Sequence, residues 1–114
     1  MTSTVLLFSY GTLQYKNVQI EIFGRELTGR EDALPGYTRR MAPILNPEAA
    51  ASLGESQYAN VVPSSNPEDA VPGLVFEISE QELDAADRYE EDADYRRISI
   101  TLQSGVQAWA YLRP

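Results

Sequence analysis

Val5-Leu6-Leu7-Phe8 is an unbroken apolar run that stops at Ser9-Tyr10-Gly11-Thr12. Such a run suits a buried strand that leads into a tight turn. From Lys16 to Phe23 the apolar residues Val18, Ile20, Ile22 and Phe23 both alternate and recur, so their period alone does not decide the element. Gly24 stands where a helix would stop, and the segment is read as a short helix. Leu34-Pro35-Gly36-Tyr37 signals a turn, and Thr38 to Leu45 continues as a strand. Residues 46–56 are small and polar, a loop with a helical turn at Pro47. Tyr58 to Val62 reads as a strand ending in the loop Pro63-Ser64-Ser65-Asn66-Pro67. Ala70 to Ile78 is the second strong strand, and Gly73 inside it implies a bulge or close backbone packing.

Ser79 carries the clearest local signal. It is a good N-cap with Glu82 three residues later, the spacing of a capping box. Ile78 and Leu83 are placed to form the accompanying hydrophobic staple. Glu80 and Glu82 complement the positive end of the helix dipole. The helix is expected to run to Tyr89 or Glu91. Tyr95 to Leu102 then alternates, with Ile98, Ile100 and Leu102 on one side. Ser104-Gly105 turns the chain, and Val106 to Leu112 returns as the second half of a hairpin. The pattern predicts one α+β domain over residues 1–114, mostly sheet.

Composition narrows the chemistry. The 114 residues hold 17 Asp plus Glu against 9 Lys plus Arg, a net charge of −8. An acidic chain repels phosphate backbones, and the only basic doublets are Arg39-Arg40 and Arg96-Arg97, so no nucleic-acid partner is expected. No apolar run approaches the ~20 residues of a membrane span. No basic residue precedes Thr4–Phe8 and no small-residue cleavage site follows it, so the segment is read as a strand and the protein as cytoplasmic. The chain has no Cys and no His. Thiol nucleophiles, thiolate metal sites, Ser-His-Asp triads and His-ligated zinc are thereby excluded. Acid–base work near neutral pH falls to carboxylates, tyrosines and the single lysine, Lys16.

At about 100° per residue, Leu83, Ala86, Asp87 and Glu90 share one helix face, while Glu80, Glu82, Asp84 and Glu91 turn towards solvent. A carboxylate held against apolar surroundings has its pKa raised, which suits Glu90 to act as a general base. The structural alternative is an ion pair between Glu90 and Arg96 or Arg97 at a frayed last turn. Glu90-Glu91-Asp92-Ala93-Asp94 lacks the spacing and central Gly of a calcium loop, and no metal is expected there. Tyr10-Gly11-Thr12-Leu13 follows a buried strand, where free backbone N–H groups can meet a small anion; an ordinary turn with a buried Tyr is the plainer reading.

Together these segments resemble the γ-glutamyl cyclotransferase-like superfamily. Tyr10-Gly11-Thr12-Leu13 resembles its YGTL/YGSL signature, and Phe23-Gly24-Arg25-Glu26-Leu27 and Leu34-Pro35-Gly36-Tyr37 resemble the segments that follow. Val71-Pro72-Gly73-Leu74-Val75-Phe76-Glu77-Ile78 is similar to its V-x-G-x-hydrophobic strand. Leu83 through Asp87-Arg88-Tyr89-Glu90 is similar to its LDxYE helix, and Tyr95-Arg96-Arg97 with the hairpin matches its closing portion. The similarity covers nearly the whole chain and lies nearest the short avirulence-induced-gene-like branch, which includes γ-glutamylamine cyclotransferases.

The resemblance implies a small mixed β-barrel with flanking helices. It also implies conversion of a small γ-glutamyl amine or peptide to 5-oxoproline, without a cofactor. Glu90 takes the catalytic role; Tyr10, Gly11, Thr12 and Leu13 form the loop that binds the glutamyl α-carboxylate and α-amine. Tyr95 is a further pocket-lining candidate, with plain packing beside the helix as its alternative, and Asp87 is expected to orient a neighbour or pair with an arginine. The family often has Gly after the catalytic Glu; here Glu91 is expected to raise the Glu90 pKa further or to disfavour an anionic substrate. A non-catalytic metabolite-binding module on the same fold is the alternative function, and a purely structural domain a third. A monomer or homodimer is expected, with Trp109 and Tyr111 as possible apolar surface for pairing.

Overall fold

The computed structural model describes residues 4–43 and 57–113. Its elements are β1 (Thr4–Ser9), a 3-10 turn (Thr12–Gln14), α1 (Lys16–Phe23), β2 (Gly29–Pro35), β3 (Tyr37–Pro43), β4 (Gln57–Pro63), β5 (Ala70–Ser79), α2 (Glu80–Glu91), β6 (Arg96–Thr101) and β7 (Gln107–Leu112). Five strands form one sheet in the order β2-β5-β1-β7-β6, and β3 and β4 pair as a separate ribbon. Every pairing is antiparallel except that of β1 with β7.

The apolar run of β1 is explained by what covers it. Phe8 packs with Val61 of the ribbon, Val71, Val75, Ala108 and Ala110 on one face. Leu7 packs with Val18 of α1, Phe76, and Leu83 and Ala86 of α2 on the other. A strand buried on both faces has no place for polar alternation. Burying each large side chain contributes about 1.5–3 kcal/mol, so this middle strand holds both layers together. At Gly73 of β5 an added Cβ would lie 2.4 Å from the Ser9 carbonyl and 2.7 Å from the Phe8 ring. Close packing, with no interruption of the β2–β5 register, is therefore what the Gly serves. Pro72 is tolerated in β5 because β1 pairs only as far as Leu74, leaving β5 with one neighbour there.

The capping box of α2 is present in both directions: Glu82 N–H donates to Ser79 Oγ at 3.1 Å, and Ser79 N–H donates to Glu82 Oε1 at 2.9 Å. Arg25 then clamps the Glu82 carboxylate at 2.8 and 2.9 Å, joining the end of α1 to the start of α2. The hairpin turns at Ser104-Gly105, where Gly105 has φ 90.

Three expectations need correction. Gly29–Pro35 is a strand that hydrophobic patterning missed: β2 is an edge strand whose Arg30 and Glu31 are exposed and whose one fully buried side chain is Leu34. Charges along an edge discourage further pairing and erase the apolar signal. The ladders do not close into a barrel. Among the described residues the two sheet edges are joined by Gln103 N–H donating to the Ala33 carbonyl at 2.9 Å and by Ser104, whose Oγ lies 2.5 Å and whose N–H 3.3 Å from the Asp32 carboxylate. At Gly36, φ 79, the chain bends out of the sheet into the ribbon instead of continuing an edge. Trp109 and Tyr111 do not form exposed apolar surface: Tyr111 is buried and Trp109 lies under the Arg97 guanidinium. The end of the expected strand at Leu45 and the loop over 46–56, with its turn at Pro47, lie outside the described residues. No helix among the described residues is long and apolar enough to cross a membrane.

Candidate active site

The buried stripe of α2 ends on a carboxylate. Leu83, Ala86 and Glu90 are its buried residues, spaced three and four apart, while Glu80, Asp84 and Glu91 are exposed. Glu90 is only 8% exposed. Its backbone is not frayed, because its carbonyl accepts the N–H groups of Ala93 and Tyr95, each at 3.0 Å. Asp94 closes the motif at φ 64, the left-handed position that most often takes Gly. The helix thus ends two turns of hydrogen bonding around one residue, and that residue is Glu90.

Among the described residues no hydrogen bond or ion pair reaches the Glu90 carboxylate, and burial alone pushes its pKa up to about 8. The alternative partner Arg97 is engaged elsewhere, 3.1 Å from Asp87 and 4.5 Å above the Trp109 ring. Asp87 also accepts the Tyr111 hydroxyl at 2.7 Å, so the arginine pairing and orienting role expected of Asp87 are both present. Glu91 is exposed and burial is the cause of the Glu90 shift, so of the two effects expected of Glu91 the further rise of the Glu90 pKa is not found.

The loop after β1 is built from small local bonds. Gly11 N–H donates to Ser9 Oγ at 3.3 Å, and the Gly11 carbonyl accepts from the Gln14 backbone at 3.1 Å. Thr12 and Leu13 open the 3-10 turn, and the first N–H groups of a helical segment have no partner within it. The Leu13 side chain is buried, which leaves its main chain as the part that can serve a ligand. Thr12 Oγ1 lies 2.8 Å from the Tyr89 hydroxyl. That bond ties the loop to the residue immediately before Glu90, so the two segments singled out in the sequence meet.

Tyr10 is buried and donates its hydroxyl to the Tyr111 carbonyl at 2.6 Å. Burial, then the neighbouring Tyr95 and Glu90, hold its phenol well above the usual range, while Arg39 and a backbone bond at Val61 act the other way. Tyr111 is raised by burial, by Asp87 and by Glu90. Tyr10 bonds the Tyr111 carbonyl and the Tyr95 N–H bonds the Glu90 carbonyl, and electrostatic influence runs between these two pairs. Tyr95 is half-buried against the helix-side core, so it belongs to this neighbourhood and also packs there.

Gln19 was not singled out by the sequence, and Tyr111 was named there only as surface for pairing, not as part of the site. Gln19 is 2% exposed; it donates to the Leu13 carbonyl and accepts the Leu27 N–H, both at 2.8 Å. Its only signal is a polar residue beside Val18 in a short helix, where burial obliges it to find partners. The signal for Tyr111 is the strand alternation that sets it beside Trp109.

A groove of about 430 Å³ lies at the other end of β1, lined by Thr4, Val5, Leu6, Glu77, Ser99, Gln107, Ala108 and Trp109. It contains none of the loop or helix-end residues and offers a single carboxylate, so the chemistry favours the Glu90 site over this groove. Among the described residues no three Asp or Glu side chains gather to hold a metal ion.

A family model described as Gamma-glutamyl cyclotransferase, AIG2-like, matches residues 7–114. None of the curated proteins compared matches the chain. Among solved structures, a solution structure from Arabidopsis thaliana is similar with a TM-score of 0.75 and 23% identity, covering 99% of this chain and 64% of that one. A protein described as Gamma-glutamyl cyclotransferase gives 0.74 at 16% identity, covering 98% and 68%. A yeast γ-glutamyl cyclotransferase specific to glutathione gives 0.65 at 14% identity, covering 96% and 69%. The chain therefore spans roughly two thirds of these structures, which share its fold.

Proposed function

The chain belongs to the γ-glutamyl cyclotransferase, AIG2-like family, and from that premise we propose that it cyclises the γ-glutamyl part of a γ-glutamyl amine or peptide to 5-oxoproline, with Glu90 as general base. The observation that carries this reading is a buried carboxylate without a partner among the described residues, at a helix end bonded to the Tyr10–Leu13 loop.

The substrate brings its own nucleophile. Glu90 takes a proton from the α-ammonium, and the freed amine attacks the γ-carbonyl to form the ring C–N bond. The amide C–N bond to the leaving nitrogen breaks as that nitrogen takes the first proton back from Glu90; the ring nitrogen gives up its second surplus proton to the freed carboxylate, which passes it on to the departing amine, so the products are neutral lactam and an ammonium. No external reactant is needed, because nucleophile and electrophile are tethered, and the enzyme's task is to fold the chain and move two protons from the attacking nitrogen to the departing one. The Thr12 and Leu13 amides are suited to the substrate's α-carboxylate or to negative charge on the carbonyl oxygen.

The test is release of 5-oxoproline from a panel of γ-glutamyl amines and peptides by the wild type and by Glu90→Gln. Release by the wild type and loss in a folded variant supports the assignment. Near-normal turnover by the variant would sink Glu90 as the base.

A further inference from the structure

Resting on the cyclotransferase reading, we propose that Arg39 is a specificity-determining residue of this site, pairing with a carboxylate on the substrate's leaving group. Substrates whose leaving group is an amino acid or peptide are thereby preferred over those that release an uncharged or cationic amine.

The placement comes from the ribbon. Arg39 stands directly opposite Val61 in the β3–β4 register. Residues directly opposite in an antiparallel pair project from the same face. Val61 is 1% exposed and packs with Phe8 and Tyr10, so that face looks onto the sheet. Arg39 therefore leaves the ribbon on the side of Tyr10, while Arg40, opposite Asn60, leaves it on the other. Glu90 and Arg39 act on the Tyr10 phenol with opposite electrostatic signs, in keeping with the side of the ribbon on which the register puts Arg39. The site is thus flanked by an anion inside and a cation outside.

Burial separates the two roles. Glu90 and Tyr10 are buried, and the loop amides beside them are suited to the glutamyl head. Arg39 is exposed, which suits it to the part of the substrate that extends beyond the buried head. Among the described residues no ion pair holds Arg39, so its guanidinium is open to a ligand carboxylate, whereas Arg97, nearer Glu90 in the chain, is already engaged by Asp87. A chain of net charge −8 repels an anionic leaving group at long range, so one cation at the point of exit weighs heavily in the choice of substrate. A guanidinium also matches a carboxylate with two parallel N–H donors, which an ammonium does not.

The test compares γ-glutamylalanine with γ-glutamylethylamide, which differ by one carboxylate. Steady-state release of 5-oxoproline is measured with the wild type, Arg39→Gln, Arg39→Lys and Arg40→Gln. The ratio of kcat/KM for the two compounds should favour the alanine compound in the wild type and fall about tenfold in Arg39→Gln, mainly through KM, as expected for loss of a charge-assisted pair. Arg39→Lys should restore part of the ratio, and Arg40→Gln should leave it as in the wild type. An unchanged ratio in Arg39→Gln, or an equal loss for both compounds, overturns the proposal; equal loss would assign Arg39 to the glutamyl head. If neither compound is turned over, the cyclisation reading fails on its own. Calorimetric affinities of the same two compounds then decide for Arg39 by the same ratio, and absence of binding to both rejects it.

Discussion

Thr12 Oγ1 and the Tyr89 hydroxyl lie 2.8 Å apart, seventy-seven residues distant in the chain. The bond fastens the turn after β1 to the last turn of α2, one residue before the buried carboxylate of Glu90. It is the direct side-chain link between the two halves of the candidate site.

Thr12→Val keeps the shape and removes that link. One part-buried hydrogen bond contributes about 1 kcal/mol, so thermal or denaturant unfolding should show a loss of that order. The loss of 5-oxoproline release should be larger than this figure implies, because misplacing the loop against Glu90 by a fraction of an ångström costs rate as well as stability. A variant with lowered stability and unaltered turnover would limit the bond to folding.

Glu90 sets the pH dependence. Its folded-state pKa is about 8, above the ordinary carboxylate value of 4.5. Between those values the folded protein keeps a proton that the unfolded chain has lost, so this group's contribution to stability is full below about 4.5 and declines as pH rises to about 8. Glu90→Gln cannot ionise and should lack that decline. Denaturation from pH 5 to pH 9 should show the variant gaining on the wild type by a few kcal/mol, on the scale of ~1.4 kcal/mol per pKa unit. Activity should move the opposite way: kcat/KM should climb with pH towards about 8 as the free enzyme's carboxylate forms. A flat profile over that range would exclude Glu90 as the titrating base.

Gln19→Leu keeps the bulk and removes both partners of two backbone groups. The Leu13 carbonyl and Leu27 N–H would be left buried and unpaired, at about 1–3 kcal/mol each. Denaturant unfolding should show a loss of several kcal/mol. Gln19→Glu should restore the bond to Leu27 but not the donor to Leu13, and fall between.

Asp94→Gly should stabilise the protein by about 1 kcal/mol, since Asp94 sits at φ 64 where a side chain is strained. The exposed contact of Asp94 with Arg113 at 3.5 Å is too weak to offset this. A lower melting temperature in the Gly variant would show that the Asp side chain itself holds the helix end.

Local patterns were legible wherever one segment carried its own reason. The capping box at Ser79 and Glu82 needs only four residues, the apolar run of β1 needs only to be covered, and Glu90 follows from the stripe of Leu83 and Ala86. The sequence by itself therefore determined the elements around the site, the inward carboxylate and, through its motifs, the family. It could not determine β2, whose reason for being a strand is its neighbour β5 and not its own apolar content. It could not assign Arg97 to Asp87 instead of Glu90, since all three are close in sequence and only the register of β6 and β7 sets their distances. Nor could it decide the extent of barrel closure, the Gln19 latch or the side of the ribbon that Arg39 takes. Each of these depends on pairings between distant segments, where a shift of one residue reverses which side chains face inward.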